Sequence, residues 1–184
     1  MQPGPNFFLA SLLAVTAAAD PCRSGLRPGE RPGPYSSVIS TGSERGRSHC
    51  YICETGERPA VVVFARSLSE PLAKLAREID KAVGENTKQD LRAWITFLNE
   101  DQLHFDSQVV AWSQKHALRH LPLGIFEDVG GPPSYRLSGD ADVTVLLFVK
   151  QKVVANFAFR AGELTNGQIG DISRAFSRLL PEPK

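Results

Sequence analysis

Apolar positions along the chain alternate between two periods. Ala60-Val61-Val62-Val63-Phe64 is an unbroken, largely β-branched run, and continuous apolarity predicts a strand, Pro59 to Ala65, buried on both faces of a sheet. From Glu70 the period lengthens. Leu72, Leu75, Ala76, Ile79 and Val83 recur at spacings of three and four with charges between them, predicting an amphipathic helix that ends near Gly84. Trp94 to Leu98 predicts a second strand, closed by the polar Asn99-Glu100-Asp101. Val109 to Ala117 predicts a second helix with Asp106 or Ser107 as its cap, and Leu121 to Phe126 a short third strand. Residues 128–140, which carry Gly130, Gly131, Pro132, Pro133 and Gly139, predict a loop. Val143 to Val149 and Lys152 to Arg160 predict antiparallel strands joined at Lys150-Gln151 by a tight hairpin. The last helix opens on Thr165 and Gln168 in a capping-box spacing, with Ile169, Ile172, Phe176 and Leu179 on one face before Pro181.

This order predicts an α/β fold: a central sheet with helices on both faces, made mixed by the terminal hairpin. The 184 residues, 42% of them hydrophobic, suffice for one domain with a real core. Residues 60–180 hold most of the pattern, so the domain is expected over 47–184. Residues 20–46, rich in Pro, Gly and Arg, predict a linker leading into an edge strand around Tyr35, Val38 and Ile39. Ahead of them, Phe7, Phe8, Leu9, Leu12, Leu13 and Val15 run into Ala17-Ala18-Ala19. That is the pattern of a signal peptide over 1–19 with cleavage after Ala19. The run is shorter than the roughly 20 apolar residues a bilayer needs, so no transmembrane span is expected in the mature chain. The expected location is exported, periplasmic or extracellular.

Twenty-one basic and twenty acidic side chains nearly cancel. No overall field steers the chain to nucleic acid or to an anionic membrane, and the partner expected is a protein of the envelope. The residues of chemical interest are the three cysteines. Cys50 and Cys53 stand at the spacing of small-loop redox disulfides, and an exported chain meets an oxidising compartment. Three readings stand together: a structural bridge that staples the leading loop, a reducible redox pair, and a metal site in which His49 is the third ligand beside Cys50 and Cys53. Cys22 is left free by the first two, or pairs with one of the others or with another molecule. His104, His116 and His120 form no defensible ligand set and read as surface or helix-end histidines. No cofactor is implied.

Further segments resemble a known family. Ser134-Tyr135-Arg136-Leu137, Val143 to Phe148, Lys152-Val153-Val154-Ala155 and Gly162-Glu163-Leu164 resemble the second half of thioredoxins. Arg31-Pro32-Gly33-Pro34-Tyr35 and Gly56-Glu57-Arg58-Pro59 resemble the AhpC/TSA (peroxiredoxin) and TlpA-like branch of the thioredoxin-like superfamily. The resemblance spans roughly Pro28 to Leu180. It implies a three-layer thioredoxin-like sandwich and, as function, thiol–disulfide or peroxidase chemistry. It also implies a nucleophilic cysteine just after the first core strand, where helix amides lower a thiol's pKa. Here that stretch is Arg66-Ser67-Leu68-Ser69, without cysteine, and the place of the family's proline holds Asp142-Val143-Thr144. Ser67, Leu68, Ser69, Val143 and Thr144 therefore read as a degenerate family site, and Ser69 as a helix cap. The leading expectation is a binding or structural module without the usual catalysis. The alternatives are a thiol–disulfide oxidoreductase that uses Cys50 and Cys53 from a relocated position, and a metal-handling protein.

Overall fold

The computed structural model describes residues 20–180; the signal-peptide expectation over 1–19, with cleavage at Ala19, lies outside them. Among the described residues seven strands form one mixed sheet: β1 (Ser37–Ile39), β2 (Ser48–His49), β3 (Ala60–Ala65), β4 (Arg92–Leu98), β5 (Leu123–Phe126), β6 (Val143–Val149) and β7 (Lys152–Phe159). Their spatial order is β2-β1-β5-β4-β3-β6-β7. β3, β4 and β5 run parallel, and the remaining pairings are antiparallel. The central β3 is buried at every position, as its continuous apolarity requires. Among the described residues no helix is long and apolar enough to cross a membrane.

Helices α2 (Glu70–Glu85), α3 (Gln102–Lys115) and α4 (Asn166–Ala175) all pack on one face. Leu72, Leu75, Ile79, Val109, Trp112, Ile169 and Ile172 from them close over Val61, Val63, Ile95, Phe97, Leu123, Val145 and Leu147 of the sheet. The other face carries Val62, Phe64, Trp94, Leu146 and Phe148, together with Leu26 and Tyr135. A short helix α1 (Tyr51–Thr55), a helical turn over Pro133–Tyr135 and extended chain cover it. Helices thus lie on both faces, but unequally.

Besides shifts of two residues at the starts of β4 and β5, and the place of β1, expected at the sheet edge but lying inside β2, three features differ from the sequence reading. α3 starts earlier than Val109 and is capped by Asp101, whose carboxylate accepts from the His104 amide at 3.2 Å, not by Asp106 or Ser107. Its first turns hide from periodicity because Leu103 is 84% exposed. The linker expected over 20–46 is in large part domain. Leu26 is buried, Asn156 Nδ2 donates to the Ser24 and Leu26 carbonyls at 2.8 and 2.7 Å, and Gly29 and Glu30 exchange backbone hydrogen bonds with Val153. Gly25, at φ +85°, lets the segment lie this close: a Cβ there would meet Thr144 Cγ2 at 2.9 Å. The third difference is α1 itself, which no apolar period announced. The hairpin turn is as expected, with Lys150 and Gln151 both at positive φ, the conformation of a two-residue type I′ turn.

Candidate functional site

Cys50 follows edge strand β2 and caps α1, and its Sγ is bonded to Cys53 Sγ. The two Cα atoms are 5.3 Å apart. The Cys53 amide donates to Cys50 Sγ at 3.2 Å, so the sulfur occupies the place of an N-cap oxygen. A five-residue helix is too short to persist on its own, and side chains hold this one at both ends. Thr55 Oγ1 donates to the Tyr51 carbonyl at 2.7 Å, Arg58 donates to the Thr55 and Glu54 carbonyls, and Gly56 ends the helix at φ +59°. Arg58 also pairs with Asp90 at 3.3 Å, which ties the end of α1 to the start of β4.

Tyr51, between the cysteines, anchors the loop to the core. Its ring stacks on Trp94 at 5.5 Å, and Trp94 Nε1 donates to the Tyr35 hydroxyl at 2.8 Å. That hydroxyl shares a second hydrogen bond with Thr96 Oγ1 at 2.7 Å. Burial raises both phenols: Tyr51 is pushed up to about 12, helped by the Glu54 and Glu44 carboxylates, and the half-buried Tyr35 is raised further. Neither tyrosine ionises near neutrality. Two adjoining cavities of about 200 and 320 Å³ border α1, and Tyr51, Glu54, Arg92, His120 and Pro122 line both. Asp80 fixes the far wall, since its Oδ1 accepts from the amides of Arg119, His120 and Leu121 at 2.8, 2.6 and 3.0 Å.

The residues at the position of the family's active edge lie at the other end of β3. Ser67 Oγ donates to Asp142 at 2.9 Å, and Ser69 caps α2 by accepting from the Leu72 amide at 3.3 Å. Leu68 packs on the helical face, Val143 pairs with Ala65, and the Thr144 hydroxyl donates to Ser24 Oγ at 2.7 Å. Arg66 holds the 129–141 loop down by donating to the carbonyls of Ala141, Ser138 and Val129. The structure thus brings Ser67 and Val143 together through Asp142 and Ala65, but a six-residue strand spans about 20 Å, which separates them from the disulfide.

Both thiols of the His49, Cys50, Cys53 set are consumed in the disulfide, and among the described residues no group of three or more His, Cys, Asp and Glu could hold a metal. His49 Nε2 instead meets Glu54 Oε2 at 2.9 Å. Glu54 had no sequence signal beyond its place next to Cys53. Cys22 is unpaired and half-buried, and burial raises its thiol more than the neighbouring Arg160 lowers it. His104 is exposed beside Asp101, and His120 faces the cavities. His116 is a helix-end residue, the C-cap of α3, but it is buried and not at the surface: Nδ1 meets Arg77 at 3.1 Å, and Nε2 has no hydrogen-bond partner among the described residues.

No protein-family profile and no curated protein sequence matches the chain. Solved structures do. A thiol:disulfide interchange protein of the thioredoxin family from Chlorobium tepidum aligns at TM-score 0.59 and 13% identity, over 85% of this chain and 99% of that one. A secreted Mycobacterium tuberculosis disulfide oxidoreductase, homologous to Escherichia coli DsbE, aligns at 0.58 and 10%, over 79% and 96%. Peroxidoxin BcpB from the same organism aligns at 0.59 and 12%, over 85% and 99%. At these identities the likeness is one of fold.

Proposed function

The fold is thioredoxin-like, and we propose that the chain is an exported thiol–disulfide oxidoreductase whose reacting pair is Cys50 and Cys53. The observation that carries this reading is the pair itself: a bridge between half-buried Cys50 and exposed Cys53 across a sequence separation of only 3, with Cys50 Sγ accepting from the Cys53 amide. A bridge so local constrains the unfolded chain little, so stapling alone accounts poorly for it. The amide that reaches Cys50 favours its thiolate once the bridge is open. The disulfide and the character of the structural neighbours thus favour exchange over the non-catalytic module. Export is supported by the apolar run that ends in Ala17-Ala18-Ala19.

In the reduced protein the Cys50 thiolate attacks one sulfur of a substrate disulfide. The substrate bond breaks, a mixed disulfide forms, and the first substrate sulfur leaves as a thiolate that takes a proton. Cys53, as thiolate, then attacks Cys50 Sγ, which restores the Cys50–Cys53 bond and releases the second substrate thiol. Two electrons pass from the protein dithiol to the substrate, and the reverse sequence oxidises a substrate dithiol. The cavities beside Tyr51 and Glu54 border α1, the helix that carries Cys53, and are not lined by either cysteine. The test is reduction of a disulfide-bonded test protein with dithiothreitol as electron source. Turnover is expected, with Cys53→Ser trapping a mixed disulfide on Cys50. Absence of turnover, and of any trapped adduct, would overturn the assignment.

A further inference from the structure

One interaction brackets the reacting pair and has no role in the exchange steps above. His49 lies one residue before Cys50 and Glu54 one residue after Cys53, and their side chains meet at 2.9 Å across the loop that the disulfide closes. The His49 ring also lies edge-on to Tyr51, with centroids 4.5 Å apart, and Tyr51 in turn stacks on Trp94. The chain from 49 to 54 is therefore closed twice, once by a covalent bond and once by a noncovalent one immediately outside it. Two closures of one loop are linked: whatever ordering the disulfide gives the pair, the pair returns to the disulfide by the same factor. Among the described residues Glu54 has no other side-chain ion pair or hydrogen bond, and the nearby carboxylate Glu44 pairs with Arg47.

We infer that His49 and Glu54 are positioning residues: their contact holds Cys50 and Cys53 within bonding reach after reduction and thereby sets the redox equilibrium of the pair. This rests on the exchange reading for its biological meaning, but the equilibrium is measurable without turnover. With the side chains 23% and 48% exposed, the contact is partly screened, and an exposed pair contributes modestly. The expected effect is accordingly about threefold in the equilibrium constant, equivalent to about 14 mV at about 30 mV per tenfold for a two-electron couple.

The experiment equilibrates the folded full chain with oxidised and reduced dithiothreitol at fixed ratios, quenches by alkylation and quantifies Cys50–Cys53 by mass spectrometry. In this balanced exchange the protein dithiol becomes the disulfide as the cyclic reagent opens to its dithiol. His49→Ala and Glu54→Ala are each expected to lower the oxidised-form equilibrium constant about threefold, and the double variant to lower it no further. Glu44→Ala is expected to leave it unchanged. Unchanged equilibria in both single variants, or effects that multiply in the double variant, would overturn the inference. If the variants shift the equilibrium as expected while the wild type shows no turnover, the exchange reading fails and the positioning role stands.

Discussion

Removing the bridge with Cys50→Ser and Cys53→Ser separates a staple from a reacting pair. The bond links residues 3 apart in sequence. In the chain-entropy relation a closed loop of about four residues confers about 2 kcal/mol, against about 4.7 for a loop of about 100 residues. Local losses should not add to this. A hydroxyl at position 50 is a good helix cap and can accept from the amide that now reaches Cys50 Sγ, while Tyr51 keeps its stack on Trp94. For a domain of this size about 2 kcal/mol corresponds to roughly 4–8 °C in Tm. Thermal unfolding followed by circular dichroism should show a single cooperative transition lowered by that amount. Reduced wild type should fall to about the same Tm, and the double variant should have no disulfide-exchange activity. A fall of 15 °C or more, or loss of cooperativity, would mean that the bridge holds the fold together, and the argument from its short span would be wrong.

Tyr35→Phe should cost about 1–3 kcal/mol, because it leaves the buried Trp94 indole N–H and the Thr96 hydroxyl without their shared partner. Adding Thr96→Val should cost less than the two single changes summed, and additive losses in chemical denaturation would refute the network. Asp80→Ala should lower the free energy of unfolding in urea titrations by about 2 kcal/mol through three orphaned amides, and Asp80→Asn by clearly less; equal losses would point to packing instead. Burial lowers the pKa of His116, against a smaller opposing pull from the Glu70 carboxylate, with Lys115 and Arg77 adding to the lowering. The unfolded chain therefore binds the proton first, so stability is complete above the ordinary histidine value of about 6.5 and declines as pH falls below it. His116→Asn should flatten that decline in urea titrations between pH 7.5 and 5, and an unchanged slope would assign it to another group.

The strands and long helices were legible because each carries its own period. Val61 to Phe64 are apolar without interruption, Leu72, Leu75 and Ile79 form a stripe, and Thr165 with Gln168 forms the capping box that the structure contains. Where apolar spacing is diluted, no period marks the element. The first turns of α3 expose Leu103, and α1 is five residues long and held by Arg58 and Trp94, which are distant from Cys50 in sequence or lie beyond the helix. The absence of cysteine at Arg66-Ser67-Leu68-Ser69 was also legible, and the structure gives those positions work in capping, packing and loop anchoring.

By itself the sequence determined that a buried β-rich core with amphipathic helices would form, that its last two strands would be a hairpin, and that Cys50 and Cys53 stood close enough to bond. These follow from interactions within a few residues, which spacing and side-chain type encode directly. Tertiary structure alone decided that the three long helices share one face and that residues 24–30 are domain and not tether. It also decided that His49 reaches Glu54 outside the disulfide, and that Trp94 supports the loop from β4. Those facts depend on where the sheet's crossovers carry each segment, and a contact between distant residues becomes specific only when the packed core has fixed both of them in space.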